Sequence, residues 1–99
     1  MAHQSEKSGW HHRVAKLIRE LRQTNSKIDR IIERLPLSNH EQVARLAKLV
    51  EKQKRFMRTS PGTTPLSVSV FLDNAKHSAR YLQSRYADAI KKGRLRKTK

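Results

Sequence analysis

The chain has 99 residues, 23 Lys and Arg against 8 Asp and Glu, and a formal net charge of +15. That length fits one small domain and excludes a two-domain enzyme. With no cysteine in the sequence, disulfides, thiol catalysis and Cys-type zinc sites are excluded, and no apolar run approaches the ~20 residues of a membrane span.

Residues 1–8 are polar, include Glu6 and lack the apolar stretch of a secretory signal. A loose N-terminus on an intracellular protein is therefore expected. The first helix is expected at about residues 9–35. Val14, Leu21, Ile28 and Leu35 recur every seven residues, Leu17 and Ile31 fill the intermediate positions, and Ile18 and Ile32 lie beside them. This is close to a coiled-coil pattern, interrupted by Thr24 and Asn25, which either fix register or mark a weak point. Such a helix is roughly 40 Å long, and Pro36 ends it by disfavouring helical geometry at Leu35.

The second helix is expected at about residues 39–59, with Ser38 and Glu41 as a capping box. Val43, Leu46, Ala47, Val50 and Met57 form its apolar stripe. A connection this short makes the two helices an antiparallel hairpin. The third segment, residues 65–90, opens at Thr64-Pro65, a cap followed by proline in the first turn. Ser67-Val-Ser-Val70 alternates like a short strand, but Phe71, Ala75, Ala79, Leu82, Tyr86 and Ile90 keep helical spacing. Helix is the better reading, with an irregular stretch near Asp73-Asn74. Residues 91–99 read as a flexible basic tail.

Apolar residues make up 35% of the chain, and a hairpin of two helices cannot enclose its own stripes. The expected fold is therefore all-α: a long antiparallel hairpin plus a third helix, dimerising into a four-helix-bundle-like assembly. Val14, Leu17, Leu21, Ile28, Ile31, Leu35, Val43, Leu46, Val50 and Met57 are its candidate core and dimer residues.

The charge points to a polyanion, because a compact domain this basic repels itself. An anionic membrane surface is a weaker candidate, and a merely solvated basic surface is the bland one. Lys16, Arg19, Gln23, Lys27, Arg30 and Arg34 fall within about 140–220° of Val14 on a wheel of about 100° per residue, opposite the apolar stripe. Arg45, Lys48, Lys52 and Arg55 line up likewise on the second helix. An ordinary solvated helix face mixes signs at i,i+4, whereas these lines are almost purely basic. Lys16, Arg19, Lys27, Arg30, Arg34, Arg45, Lys48, Lys52, Arg55 and Arg58 are the candidate RNA-binding residues.

Trp10, Phe56, Phe71, Tyr81 and Tyr86 are too scattered for a single-strand stacking platform. Duplex RNA is read mainly by shape and by 2′-hydroxyls, which suits such a surface; composition leaves duplex DNA open. His40 and Glu41 begin a zinc-protease-like motif, but the second histidine is missing. No catalytic triad or Gly-rich phosphate loop is present. The chain is read as no enzyme, with no metal and no cofactor.

The layout resembles the small RNA-silencing suppressors of nodaviruses, with a long helix, a short turn, a basic second helix and a Pro-led third segment. The local match is Arg55-Phe-Met-Arg-Thr-Ser60, then Pro65-Leu-Ser-Val68 and Leu72, and the likeness covers roughly residues 14–72. It implies an antiparallel homodimeric four-helix bundle that binds duplex RNA along one face without sequence preference. It further implies that the bound duplex is shielded from Dicer-type processing, with the key arginine at Arg55 or Arg58. The departures are the helical, basic segment from Ala75 onward and the longer connection at residues 60–65. The resulting expectation is a homodimeric double-stranded-RNA-binding protein of the host-cell cytoplasm that suppresses silencing, with a host silencing nuclease as a further partner. The alternatives are a small ribosomal or organellar RNA-binding protein, monomeric until it docks, and a helical protein-binding adaptor.

Overall fold

The computed structural model describes the backbone of residues 2–59 and 66–95 and the side chains of residues 12–59 and 68–95. The described residues form three helices and no strand: α1 (Ala2–Ile32), α2 (His40–Arg58) and α3 (Leu66–Lys91). The all-α expectation holds.

Several boundaries differ from the sequence reading. Helix α1 begins at Ala2 rather than Gly9, so most of the terminus expected to be loose is helical. It ends at Ile32, and the chain then tightens: Arg34 N–H donates to the Ile31 carbonyl and Leu35 N–H to Ile32. Pro36 acts a few residues upstream of its own position, and the connection to α2 is residues 33–39 rather than two or three residues. The cap of α2 is Asn39, not Ser38; its side-chain oxygen accepts from the Glu41 N–H at 2.8 Å. From Asn39, Glu41 is the second helical residue rather than the third, so the expected capping box does not form. The Thr64-Pro65 cap lies outside the described residues. Helix α3 runs unbroken through Asp73 and Asn74, where irregularity was expected, and is helical from Leu66, which settles the Ser67–Val70 ambiguity.

Helix α3 covers the hairpin. Helix α3 lies parallel to α1: Val14 and Ile18 cluster with Leu72, and Ile28 and Ile32 share a cluster with Leu82 and Ala89. Leu21, Ala75 and Ala79 form the layer between. Three alanines on the inner face of α3 let the two axes approach closely. Val43, Leu46 and Val50 of α2 join the same core, so α3 buries these residues of both stripes within the chain. Of the expected core residues, Val14, Leu21, Ile28, Val43, Leu46 and Val50 are buried, while Leu17, Ile31, Leu35 and Met57 are half-buried against them. Helix α2 lies along the C-terminal half of α1, so the Val14–Ile18–Leu72 cluster is built by α1 and α3 alone.

Thr24 and Asn25 sit inside this core. The Thr24 hydroxyl donates to the Glu20 carbonyl at 2.8 Å. Asn25 Nδ2 donates to the Ala75 carbonyl at 3.1 Å, and Gln53 Nε2 donates to Asn25 Oδ1 at 2.7 Å. Gln83 Nε2 completes the layer by donating to Gln53 Oε1 at 3.0 Å. One polar layer thus crosses all three helices and ties their register, which is the first of the two roles open to Asn25 from sequence.

The chain past α3 is also built in, at least as far as Leu95. Gly93 has φ +75°, the left-handed conformation that glycine adopts without Cβ strain. Arg94 N–H donates to the Ala89 carbonyl and Gly93 N–H to Ile90, a Schellman closure. It turns Leu95 back into the core, where it is 2% exposed. Residues 91–95 of the tail expected to be flexible are therefore built in, and its remainder, residues 96–99, lies outside the described residues.

Candidate nucleic-acid interface

All ten candidate RNA-binding side chains are exposed. Lys16, Arg19, Lys27, Arg30 and Arg34 follow the outer line of α1 and its C-terminal turn; Arg45, Lys48, Lys52 and Arg55 follow the outer line of α2, and Arg58 lies on its flank. Each line stands opposite the buried stripe of its own helix, so both point away from the bundle axis. Because outward directions on neighbouring helices diverge, the two lines form a convex basic surface around the hairpin rather than a flat one.

Electrostatics separates these side chains from the rest. The ion pairs among the described residues are Arg85–Asp29 at 2.7 Å, Lys92–Asp88 at 3.1 Å and Lys54–Glu51 at 3.8 Å. None includes a candidate residue, so those ten cations make no ion pair among the described residues. Lys52 Nζ stands 5.7 Å from the Phe56 ring centroid, a contact that orients the ammonium without neutralising it. Lys48, Lys52 and Arg55 also border a shallow depression over Ala47, together with Glu51.

The third helix is different. Its exposed surface is mixed: Val70, Asn74, His77, Tyr81 and Ser84 stand among exposed Asp73, Arg80, Asp88 and Lys91. The continuous basic lines are thus on the hairpin, whereas α3 carries its cations singly among neutral and acidic side chains.

Sequence reasoning placed Phe71 on the inner stripe of α3, and the structure overturns this. Leu72 takes the buried position at 5% exposure, and Phe71, one residue and about 100° away, is 58% exposed. Arg22 was missed for a related reason. It sits near the apolar edge of the α1 wheel, where it reads as a flanking residue, but it lines a groove between α1 and α3. That groove has an apolar chamber of about 590 Å³ that includes Ile18, Val68 and Phe71, and a more polar one of about 350 Å³ that includes Asn74 and Ser78.

Among the described residues no group of three His, Cys, Asp or Glu side chains could hold a metal ion, and no helix is long and apolar enough to cross a membrane. Fold and surface together define the class: a small, strongly basic three-helix bundle. No protein-family model matches the chain, and no match is found among curated proteins or solved structures.

Proposed function

We propose that this chain binds double-stranded RNA without sequence preference through the outer face of the α1–α2 hairpin. The observation that carries the reading is the pair of nearly unbroken basic lines on the hairpin, whose cations make no ion pair among the described residues. The α1 line from Lys16 to Arg34 extends roughly 27 Å at ~1.5 Å per residue. Its charges are held on rigid helices, so little conformational entropy is lost when they meet phosphates. Phosphate contacts position a duplex but carry no sequence information, which fits binding by shape. In the silencing reading, the covered duplex is withheld from Dicer-type processing, and a homodimer and a host nuclease complete the assembly.

A second reading is favoured by one observation. Helix α3 closes the core within a single chain, as a monomeric ribosomal or organellar RNA-binding protein requires. Light scattering at low concentration separates it from the homodimer.

The test is a competition of duplex RNA against single-stranded RNA and duplex DNA, followed by affinity against salt. The Lys27→Gln, Arg30→Gln and Lys48→Gln variants are each expected to lower the slope of log K against log salt by about one unit or slightly less. Salt-independent binding would instead favour a helical adaptor, and tighter binding to single strands would refute the duplex reading.

A further inference from the structure

We infer that the α1–α3 groove around Phe71 is a pocket for one unpaired nucleotide, so that a duplex carrying a single-stranded end binds more tightly than a blunt one. This rests on the duplex-RNA reading and adds a site to it.

Phe71 presents a free aromatic face at 58% exposure. It lines both chambers of the groove, as do Arg22 and Ser26. The polar chamber adds Asn74 and Ser78, whose amide and hydroxyl can donate to and accept from a base edge. On the other side, Ala15, Ile18 and Val68 supply an apolar wall for the flat face of a base or a ribose. A base needs this combination: a π-face to stack on, an apolar wall, and polar groups at its rim.

The groove is also continuous with the surface described above. Arg19 and Gln23 line its apolar chamber and belong to the outward line of α1. A strand leaving the duplex along that line reaches Phe71 with Arg19 and Arg22 beside its phosphate. Arg22 makes no ion pair among the described residues, so its charge is available. Other occupants fit less well. A second copy would bring two pairs of arginines together in a chain of net charge +15. An apolar helix from a partner would leave the hydrogen-bonding groups of the polar chamber unmatched.

The experiment compares one RNA duplex, blunt or extended by an unpaired nucleotide, by fluorescence anisotropy. In a parallel arm the unpaired position carries a fluorescent purine analogue that reports stacking. The wild-type chain is expected to favour the extended duplex on the order of tenfold, with a change in purine emission. Phe71→Ala should abolish both effects and leave blunt-duplex affinity unchanged. Arg22→Gln should reduce the preference, and Tyr81→Ala, outside the groove, should do nothing. Phe71 is mostly exposed, so its replacement is expected to fold, and circular dichroism checks this. Equal affinities for the two duplexes, or a purine signal unchanged by Phe71→Ala, would overturn the pocket and leave the duplex reading standing. A chain that ignores blunt duplex but binds the isolated single strand through Phe71 would overturn the duplex reading instead.

Discussion

The polar layer across the three helices allows a quantitative test of how the hairpin is held. Gln53 is 0% exposed and makes two hydrogen bonds, donating to Asn25 Oδ1 at 2.7 Å and accepting from Gln83 at 3.0 Å. Gln53→Leu keeps the bulk but removes both. Asn25 is 7% exposed, so its oxygen is left without a partner and out of reach of water. Orphaning a buried acceptor costs about 1–3 kcal/mol, and the lost bond from Gln83 adds roughly 1 kcal/mol. The expected loss is about 2–4 kcal/mol, or roughly 10–25 °C in Tm for a domain of this size. The double variant Asn25→Leu, Gln53→Leu removes the acceptor together with its donor. The Ala75 carbonyl that Asn25 also serves lies inside α3 and keeps its helical partner. The double variant should therefore cost less than the two single changes combined, by about 1–2 kcal/mol. Urea denaturation of the four chains measures this cycle. Strict additivity, or a Gln53→Leu variant within ~0.5 kcal/mol of wild type, would refute the claim that this layer pins the helices.

Further outcomes are expected at the C-terminal turn and at Tyr86. In thermal or urea denaturation, Leu95→Ala should destabilise the bundle by about 2–4 kcal/mol as a buried large-to-small change, and Gly93→Ala by about 1 kcal/mol through its positive φ alone, since a Cβ there meets nothing within 4 Å. Burial, helped by the nearby Glu51 carboxylate, raises the Tyr86 hydroxyl above its ordinary value of 10.0. The unfolded chain therefore loses this proton first. The stability that Tyr86 contributes is full below pH 10 and falls as the pH rises from there through the folded value. Melting curves across this alkaline range should show a smaller decline for Tyr86→Phe than for wild type.

Period and charge were legible in one dimension. The seven-residue recurrence from Val14 to Leu35 identified α1 and its inner face, and the same periodicity placed Lys16, Arg19, Lys27, Arg30 and Arg34 opposite that face. The corresponding argument held for Val43, Leu46 and Val50 against Arg45, Lys48, Lys52 and Arg55 on α2. Helical geometry alone determines these relations, since residues three and four apart share a face wherever the helix packs. One signal in the sequence was passed over: Gly93 followed by an apolar Leu95 is the pattern of a helix cap that folds back on the core.

What covers each face was a matter for the tertiary structure. Two stripes on a hairpin are satisfied equally by a second copy or by a third helix of the same chain, because burial is indifferent to the source of the apolar surface. Helix α3, with Ala75, Ala79 and Ala89 permitting close approach, takes that place here. The same docking rotates Leu72 inward and leaves Phe71 outside, and it turns Asn25 from an interruption into a link with Gln53 and Ala75. It also opens the groove beside Arg22. These outcomes depend on the rotation and height of α3 against α1, and both are set by side chains more than forty residues apart in the chain, beyond the reach of any local pattern.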